Sequence, residues 1–164
     1  MPRVLIVDDH PLVRDSLTAL FEATDDLAVV GQCADGSEVV EAVERTGPHV
    51  VLMDMQMPRV DGLTAARAVL LVHPRVRIVF LSGGLTPASA REANEIGAAG
   101  YLLKEDHPAA IPEHIRAVAA GGTVWHPRAR ALLEHDQELL GNPPLRAVPS
   151  TYVDGCPPRL RQLR

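Results

Sequence analysis

The sequence predicts an α/β protein in which five parallel strands form a doubly wound sheet. Five short apolar runs recur along residues 1–122, and amphipathic stretches separate them. Continuous Val, Leu and Ile without polar alternation is typical of strands that are covered on both faces of a parallel sheet. Strands that alternate with helices indicate βαβ units with right-handed crossovers. The runs lie at residues 3–7, 27–31, 49–54, 76–81 and 99–103.

Capping residues indicate where the helices begin and end. Pro11 suits the first turn of a helix after the first strand, and Asp35 with Glu38 resembles a capping box for the second. Gly47 ends that second helix, and a Thr-Pro pair at residues 86–87 begins the fourth. Apolar stripes at helical spacing are expected to face the core. They comprise Val13, Leu17, Leu20 and Phe21, then Val39, Val40 and Val43, then Leu63, Ala66 and Leu70, and finally Ile111, Ile115, Val118 and Ala119.

The last of these helices contains a proline at an unfavourable place. Pro112 follows Pro108 by four residues. A helix that began at Pro108 would lack the hydrogen bond from residue 112, and the proline ring would clash with the carbonyl of residue 108. The helix is therefore expected to begin late or to kink.

Composition and charge favour one ordinary domain with a tail. The 164 residues contain only 3% aromatic residues, which does not favour a base-stacking surface for nucleic acid. Residues 1–120 hold 10 basic and 17 acidic residues, so this region is not expected to bind a polyanion. Cys33 and Cys156 are far apart and form no CxxC motif, which indicates neither a zinc site nor a disulfide framework. No signal peptide or membrane-spanning stretch is visible, so a cytoplasmic location without membrane contact is expected.

Four of the five predicted strands end on polar or charged residues. Asp8 and Asp9 follow the first strand, Asp54 the third, Ser82 the fourth and Lys104 the fifth. Ligands bind beyond the carboxyl ends of the strands in open α/β sheets, so these groups are expected to share one crevice. Like charges about 4 Å apart repel by on the order of 4 kcal/mol at an effective dielectric of about 20, and Mg²⁺ together with Lys104 would offset this repulsion. The set predicts a phosphoryl-transfer site with a carboxylate nucleophile.

Each of these residues alone has a simpler interpretation. Asp54 could cap the next helix, Ser82 is a common turn residue, and Lys104 at a strand end is commonly solvated. Tyr101 alone is usually a packing residue. His10, beside the acidic pair, is interpreted as a loop residue or N-cap neighbour rather than as a ligand. The functional interpretation depends on the residues occurring together.

Together, these motifs resemble the receiver domain of bacterial two-component response regulators. The resemblance covers about residues 2–122, and its motifs fall in order on the predicted strand ends. It implies a flavodoxin-like, CheY-like fold. The motifs are Asp8-Asp9, the run Asp54-Met55-Gln56-Met57-Pro58-Arg59-Val60-Asp61-Gly62, Ser82, and Gly100-Tyr101-Leu102-Leu103-Lys104.

The resemblance also implies a role for each residue. Asp54 would accept a phosphoryl group from a sensor histidine kinase. Ser82 and Lys104 would bind that group, and Tyr101 would swing inward as Ser82 moves. The Mg²⁺ ligands would be Asp9, Asp54 and the backbone carbonyl of Gln56, with Asp8 acting through water.

The end of this region is similar to that of NarL-type transcription factors, which normally continue into a helix-turn-helix module. Here the sequence predicts a receiver domain at residues 1–122, a linker helix at 123–141 and a Pro/Arg-rich, disordered tail at 142–164. No helix-turn-helix is visible, so DNA binding by this chain is not expected. A homodimer is a further option, although Pro112 lies in the helix that commonly contributes to receiver dimers.

The leading interpretation is a phosphorylation switch in two-component signal transduction, linked to transcription, whose own chemistry is limited to self-phosphorylation and self-dephosphorylation. One alternative is a receiver-only or truncated regulator that acts as a phosphate sink or as a phosphorylation-independent binding module. Another is an aspartyl-phosphate phosphohydrolase, although the run Asp8-Asp9-His10 lacks the alternate acidic spacing of such enzymes. A nucleotide-binding oxidoreductase is excluded, because Asp-Asp follows the first strand and no GxGxxG motif is present.

Overall fold

The computed structural model describes residues 1–140 and confirms the doubly wound parallel α/β class. All strand pairs are parallel, and the strand order is β2-β1-β3-β4-β5-β6. Single 3-10 turns precede α2 and α5. The tail predicted at residues 142–164 lies outside the described residues. The elements are β1 (Arg3–Val7), α1 (Pro11–Glu22), β2 (Ala28–Cys33), α2 (Val39–Thr46), β3 (Val50–Met53), α3 (Gly62–Val72), β4 (Arg77–Ser82), α4 (Pro87–Glu95), β5 (Gly100–Leu103), α5 (Ile111–Ala119), β6 (Val124–Trp125) and α6 (Pro127–Leu140).

Within residues 1–140 the sheet has six strands, which corrects the predicted number of five. β6 contains only two residues and pairs with β5, and so short a run has no readable periodicity. Its approach depends on Gly100, because a Cβ at this position would lie 2.3 Å from the carbonyl oxygen of Val124. The range 123–141, predicted as a linker helix, therefore contains both β6 and α6.

Helices cover both faces of the sheet. Along β1, Leu5 and Val7 face one buried cluster, whereas Val4 and Ile6 face the other. The first cluster includes residues of α2, α3, α4 and α6, and the second includes residues of α1 and α5. Burial on both faces explains why the strands read as continuous apolar runs. Within residues 1–140, none of the helices combines the length and the apolar character needed to cross a bilayer.

Several predicted capping residues are confirmed, and the capping box lies on the 3-10 turn that leads into α2. Asp35 and Glu38 form a reciprocal capping box, and Gly47 ends α2 with a positive φ of 57°. Thr86 caps α4 by accepting a hydrogen bond from the backbone N–H of Ser89. The proline at residue 112 lies in the first turn of α5, which begins at Ile111 rather than at residue 108. The helix thus begins late, where a proline leaves no hydrogen bond unmade.

Asp35 also joins two loops at the carboxyl edge of the sheet. Its Oδ2 accepts a hydrogen bond from the N–H of Ser37 at 2.9 Å, and its Oδ1 accepts one from the N–H of Arg59 at 3.1 Å. The N–H of Val60 lies 3.4 Å from Oδ1 and 3.3 Å from Oδ2. The backbone hydrogen bond from Ser37, opposed by burial and assisted by those from Arg59 and Val60, lowers the pKa of Asp35 to about 2. Asp35 therefore holds the loop that follows Asp54.

Asp35→Ala is expected to destabilise the protein by about 2–3 kcal/mol, because it removes a cap and leaves two loop N–H groups without their acceptor. The carboxylate contributes stability above its unfolded-state pKa of 3.8, and this contribution is lost as the pH falls through the folded-state pKa of about 2. Urea unfolding at neutral pH measures the loss. Asp61→Ala is the matched control, since the exposed Asp61 caps α3 through one hydrogen bond and should cost about 1 kcal/mol. Equal losses in the two variants would contradict the role of Asp35 between the loops.

Candidate functional site

Backbone hydrogen bonds between neighbouring strands determine where each polar residue leaves the sheet. The N–H of Asp54 donates to the carbonyl of Val7 at 2.8 Å, so the end of β3 lies beside the end of β1. The N–H of Lys104 donates to the carbonyl of Ser82 at 2.8 Å, which aligns the ends of β5 and β4 in the same way. Because the strands are parallel, all four strand ends lie at one edge of the sheet.

The ammonium group of Lys104 lies between two buried carboxylates. Its Nζ is 2.7 Å from Oδ2 of Asp8 and 3.1 Å from Oδ2 of Asp54. The side chains of Asp8 and Asp54 are only 2% and 5% exposed. Burial acts to lower the pKa of Lys104, but its hydrogen bonds to Asp8 and Asp54 raise that pKa overall. Lys104 therefore remains charged and neutralises part of the acidic cluster.

The carboxylates of the cluster outnumber this single ammonium group. One ligand atom from each of Asp8, Asp9, His10 and Asp54 lies within 4.8 Å of the others. Oδ1 of Asp9 is buried and, among the described residues, accepts no hydrogen bond, although Nδ1 of His10 is 3.1 Å away. Burial raises the pKa of Asp54, the hydrogen bond from the N–H of Gln56 opposes that rise, and the charge of Asp8 adds to it. A hard divalent cation with oxygen ligands fits this donor set.

The loop after Asp54 lies close to the backbone of that residue. The N–H of Gln56 donates to Oδ1 of Asp54 at 3.2 Å, while the Gln56 side chain is exposed. A Cβ at Gly62 would lie 2.2 Å from the carbonyl oxygen of Asp54, so this position requires glycine. Asp61 is the residue that caps α3, which contradicts the simpler interpretation of Asp54 as a helix cap.

Ser82 and Tyr101 belong to a hydrogen-bonded group next to the acidic cluster. Oγ of Ser82 accepts a hydrogen bond from the N–H of Gly84 at 3.2 Å, so the hydroxyl keeps its own proton for a second partner. The hydroxyl of Tyr101 donates to the carbonyl of Gly84 at 2.8 Å and lies 3.1 Å from Oγ of Ser89. Tyr101 is fully buried and points inward, outside the carboxylate cluster.

Two further residues contact the acidic cluster, although the sequence did not assign them to it. His10, interpreted as a loop residue or N-cap neighbour, is the N-cap residue of α1, but its side chain makes no capping hydrogen bond. Instead, its Nδ1 lies 3.2 Å from Oδ1 of Asp8. Nη1 of Arg14 donates to the carbonyl of Asp8 at 2.6 Å. Adjacency to Asp8 and Asp9 is the only sequence signal for His10, and Arg14 has none.

Comparison with known proteins identifies one matching family and several related proteins. The response regulator receiver domain family matches residues 4–116. The transcriptional regulatory protein YxjL of Bacillus subtilis is 37% identical over 123 residues, which cover 75% of this chain and 56% of YxjL. DegU of Brevibacillus brevis is 36% identical over 140 residues, which cover 85% of this chain and 59% of DegU. The chain thus spans somewhat more than half the length of these regulators. A protein-glutamate methylesterase/protein-glutamine glutaminase of Geobacter metallireducens is 45% identical over 119 residues, which cover 71% of this chain and 34% of that protein.

Solved structures with the same fold agree with these relatives. A LuxR-family two-component response regulator from Aurantimonas sp. SI85-9A1 has a TM-score of 0.77 at 32% identity, covering 83% of this chain and 97% of that chain. The isolated REC domain of RcsB from Salmonella enterica serovar Typhimurium, determined with the phosphomimetic BeF3-, has a TM-score of 0.72 at 25% identity, covering 80% of this chain and 97% of that chain.

Asp54→Asn is expected to raise the melting temperature of the metal-free protein at neutral pH by about 2–4 °C, the shift that corresponds to roughly 1 kcal/mol in a chain of this size. Because the pKa of Asp54 is raised in the folded state, protonated Asp54 favours folding at low pH. This contribution to stability is lost as the pH rises through that pKa. The difference between the variant and wild type should therefore shrink as the pH falls toward 3.8. Calorimetry in a chelator between acid and neutral pH measures this difference. A variant that is destabilised at neutral pH would contradict the raised pKa that burial and the charge of Asp8 give Asp54.

Proposed function

Because this chain belongs to the response regulator receiver domain family, we propose that it accepts a phosphoryl group on Asp54 and changes a protein-binding surface in response. One observation carries the proposal most directly. The ammonium group of Lys104 holds two buried carboxylates, Asp8 and Asp54, at the edge of the sheet. A buried cluster of this kind combines a nucleophile, a cation and further carboxylates, which are the groups that phosphoryl transfer needs.

In the proposed reaction an oxygen of Asp54 attacks the phosphorus of a phosphohistidine on a sensor kinase. The new O–P bond forms as the P–N bond breaks, and the electron pair stays on the imidazole nitrogen, which then takes up a proton. The ionised carboxylate already has a free electron pair, so no general base is needed. The ammonium group of Lys104 and the hydroxyl of Ser82 each donate a hydrogen bond to the phosphoryl oxygens, which offsets their negative charge.

The residues proposed to hold Mg²⁺ are Asp9, Asp54 and the backbone carbonyl of Gln56, with Asp8 acting through water. The buried Oδ1 of Asp9 supports this assignment, because no described residue donates a hydrogen bond to it. When bound, Mg²⁺ supplies positive charge that offsets both the carboxylates and the oxygens of the transferred group.

The proposed switch is the group formed by Ser82 and Tyr101. A phosphoryl group that engages the Ser82 hydroxyl also biases the loop whose Gly84 carbonyl binds Tyr101, and this loop leads into α4. The partners that we propose are a sensor histidine kinase and, for the phosphorylated form, a second copy of the chain. YxjL and DegU are named as transcriptional regulatory proteins. We propose that this receiver also acts in transcription regulation.

We also propose that the chemistry of the chain is limited to gaining and losing this phosphoryl group. The match to the methylesterase leaves about two thirds of that protein uncovered, so its activity is not transferred to this chain. An aspartyl-phosphate phosphohydrolase remains the alternative enzyme, and turnover of a small phosphate ester separates it from the switch.

Beryllofluoride with Mg²⁺ is expected to raise the melting temperature of wild type, because a ligand at 100 times its Kd stabilises the folded state by about 2.7 kcal/mol. Asp54→Ala should show no rise, since the acceptor oxygen is missing. Differential scanning fluorimetry with and without a chelator measures both. Asp61→Ala, which removes an exposed carboxylate from the same loop, is the control and should respond like wild type. An equal rise in Asp54→Ala would contradict the proposed acceptor.

A small phosphoramidate donor should add one phosphoryl group per chain in the presence of Mg²⁺, and intact-mass measurement should show no addition to Asp54→Ala. The same protein should release nitrophenolate from nitrophenyl phosphate no faster than the variant does, because the switch holds its phosphoryl group rather than turning over an ester. Asp54-dependent multiple turnover of the ester would favour the phosphohydrolase and overturn the switch.

A further inference from the structure

α6 packs along α4 on one side of the sheet. Ala129 and Leu133 lie four residues apart on α6, are 0% and 5% exposed, and share a buried cluster with the buried alanines of α4. Small side chains on both helices permit a close approach. Nη1 of Arg91 on α4 lies 3.8 Å from Oδ1 of Asp136 on α6. One face of α4 is therefore occupied by a segment of the same chain.

The beginning of α6 contacts the two residues that follow Lys104. Nδ1 of His126 accepts a hydrogen bond from the N–H of Arg128 at 3.1 Å, so the neutral ring carries its proton on Nε2. That Nε2 lies 3.1 Å from Oδ2 of Asp106, and Nη1 of Arg128 lies 3.0 Å from Oε1 of Glu105. The loop that presents Lys104 to the carboxylates is thus also a binding surface for α6.

Tyr101 connects the loop between β4 and α4, which contains Gly84, to both helices. Its hydroxyl binds the carbonyl of Gly84 and Oγ of Ser89, which lies in the first turn of α4. Its backbone carbonyl accepts a hydrogen bond from the N–H of His126 at 2.8 Å, directly before α6. The N–H of Gly84 in turn donates to Oγ of Ser82. Two chains of contacts therefore run from the site to α6, one from Ser82 and the other through the residues after Lys104.

We infer that α6 is the receiver's own docked output segment, and that a phosphoryl group on Asp54 tightens its docking on α4 and on the loop at residues 105–106. This inference rests on the proposed function. The Ser82 hydroxyl already accepts a hydrogen bond from the N–H of Gly84. A phosphoryl group that accepts a hydrogen bond from the same hydroxyl holds Ser82 in this position. It thereby stabilises the loop that leads into α4 and whose Gly84 carbonyl binds Tyr101. Coupling between two binding equilibria is reciprocal, so docked α6 must strengthen binding at Asp54 by the same factor.

Hydrogen exchange of peptides from residues 127–140 tests this coupling on the full chain, with and without Mg²⁺ and beryllofluoride. The only tryptophan of the chain, Trp125, lies in β6 next to α6 and is 7% exposed, so its emission gives a second readout. In wild type, beryllofluoride should slow exchange in α6 about five-fold or more, at the lower end of usual allosteric coupling. Asp54→Ala should show no slowing.

Leu133→Ala removes the buried contact of α6, and Leu139→Ala makes the same change at a position that is 71% exposed. Leu133→Ala should weaken beryllofluoride binding by about the same five-fold factor, whereas Leu139→Ala should leave the affinity within about two-fold of wild type. The wild-type exchange measurement needs no substitution, so it decides the matter if Leu133→Ala fails to fold.

Asp54-dependent thermal stabilisation without any change in α6 exchange would overturn this inference and leave the proposed function intact. Faster exchange in α6 with beryllofluoride would overturn the direction of the coupling and hence the inference. A wild type that shows neither stabilisation nor slower exchange would overturn both, because no phosphoryl mimic then binds at Asp54.

Discussion

The position of Lys104 between Asp8 and Asp54 is the contact on which the carboxyl edge of the sheet depends. Two nearly buried carboxylates at neighbouring strand ends repel one another, and desolvation makes each charge costly. β4 lies between β3 and β5, so the ammonium group must reach across roughly 10 Å of sheet to meet Asp54. A long, flexible lysine can do so, and its path crosses the strand that ends at Ser82. The cation therefore joins residues at the ends of three strands, β1, β3 and β5, into one site.

The same edge leads to the last elements of the chain. Tyr101 stands next to Trp125 in the register of β5 and β6, and its hydroxyl reaches the loop between β4 and α4. Gly100 lets β6 approach, and β6 directs the chain back so that α6 lies against α4. The site and α6 are thus connected by short polar contacts within rigid elements, which is the kind of network through which binding free energy can be shared.

Much of the fold follows from local sequence patterns, and particular residues show which features these patterns do not predict. Asp35, Thr86 and Pro112 were informative because capping and proline geometry involve only the nearest residues. The link from Asp35 to Arg59 and Val60 was not predictable, since the partners are 24 and 25 residues away and carry no side-chain signal. β6 was not predicted from the sequence, because a strand of two residues shows no hydrophobic periodicity. The contact of the exposed His10 side chain with Asp8 and Asp9 depends on how α1 leaves β1, which no local pattern records.

The sequence by itself determined the α/β class, the order of the first five strands and the helices between them, and which polar residues stand at the strand ends. These properties depend on spacing along the chain, because a strand buried on both faces must be apolar throughout and must stop where the backbone turns. Only the tertiary structure decided that Lys104 bridges Asp8 and Asp54, that the Tyr101 hydroxyl binds the carbonyl of Gly84, and that α6 covers α4. Those contacts join residues far apart in the chain, so they depend on register and packing, which spacing alone does not specify.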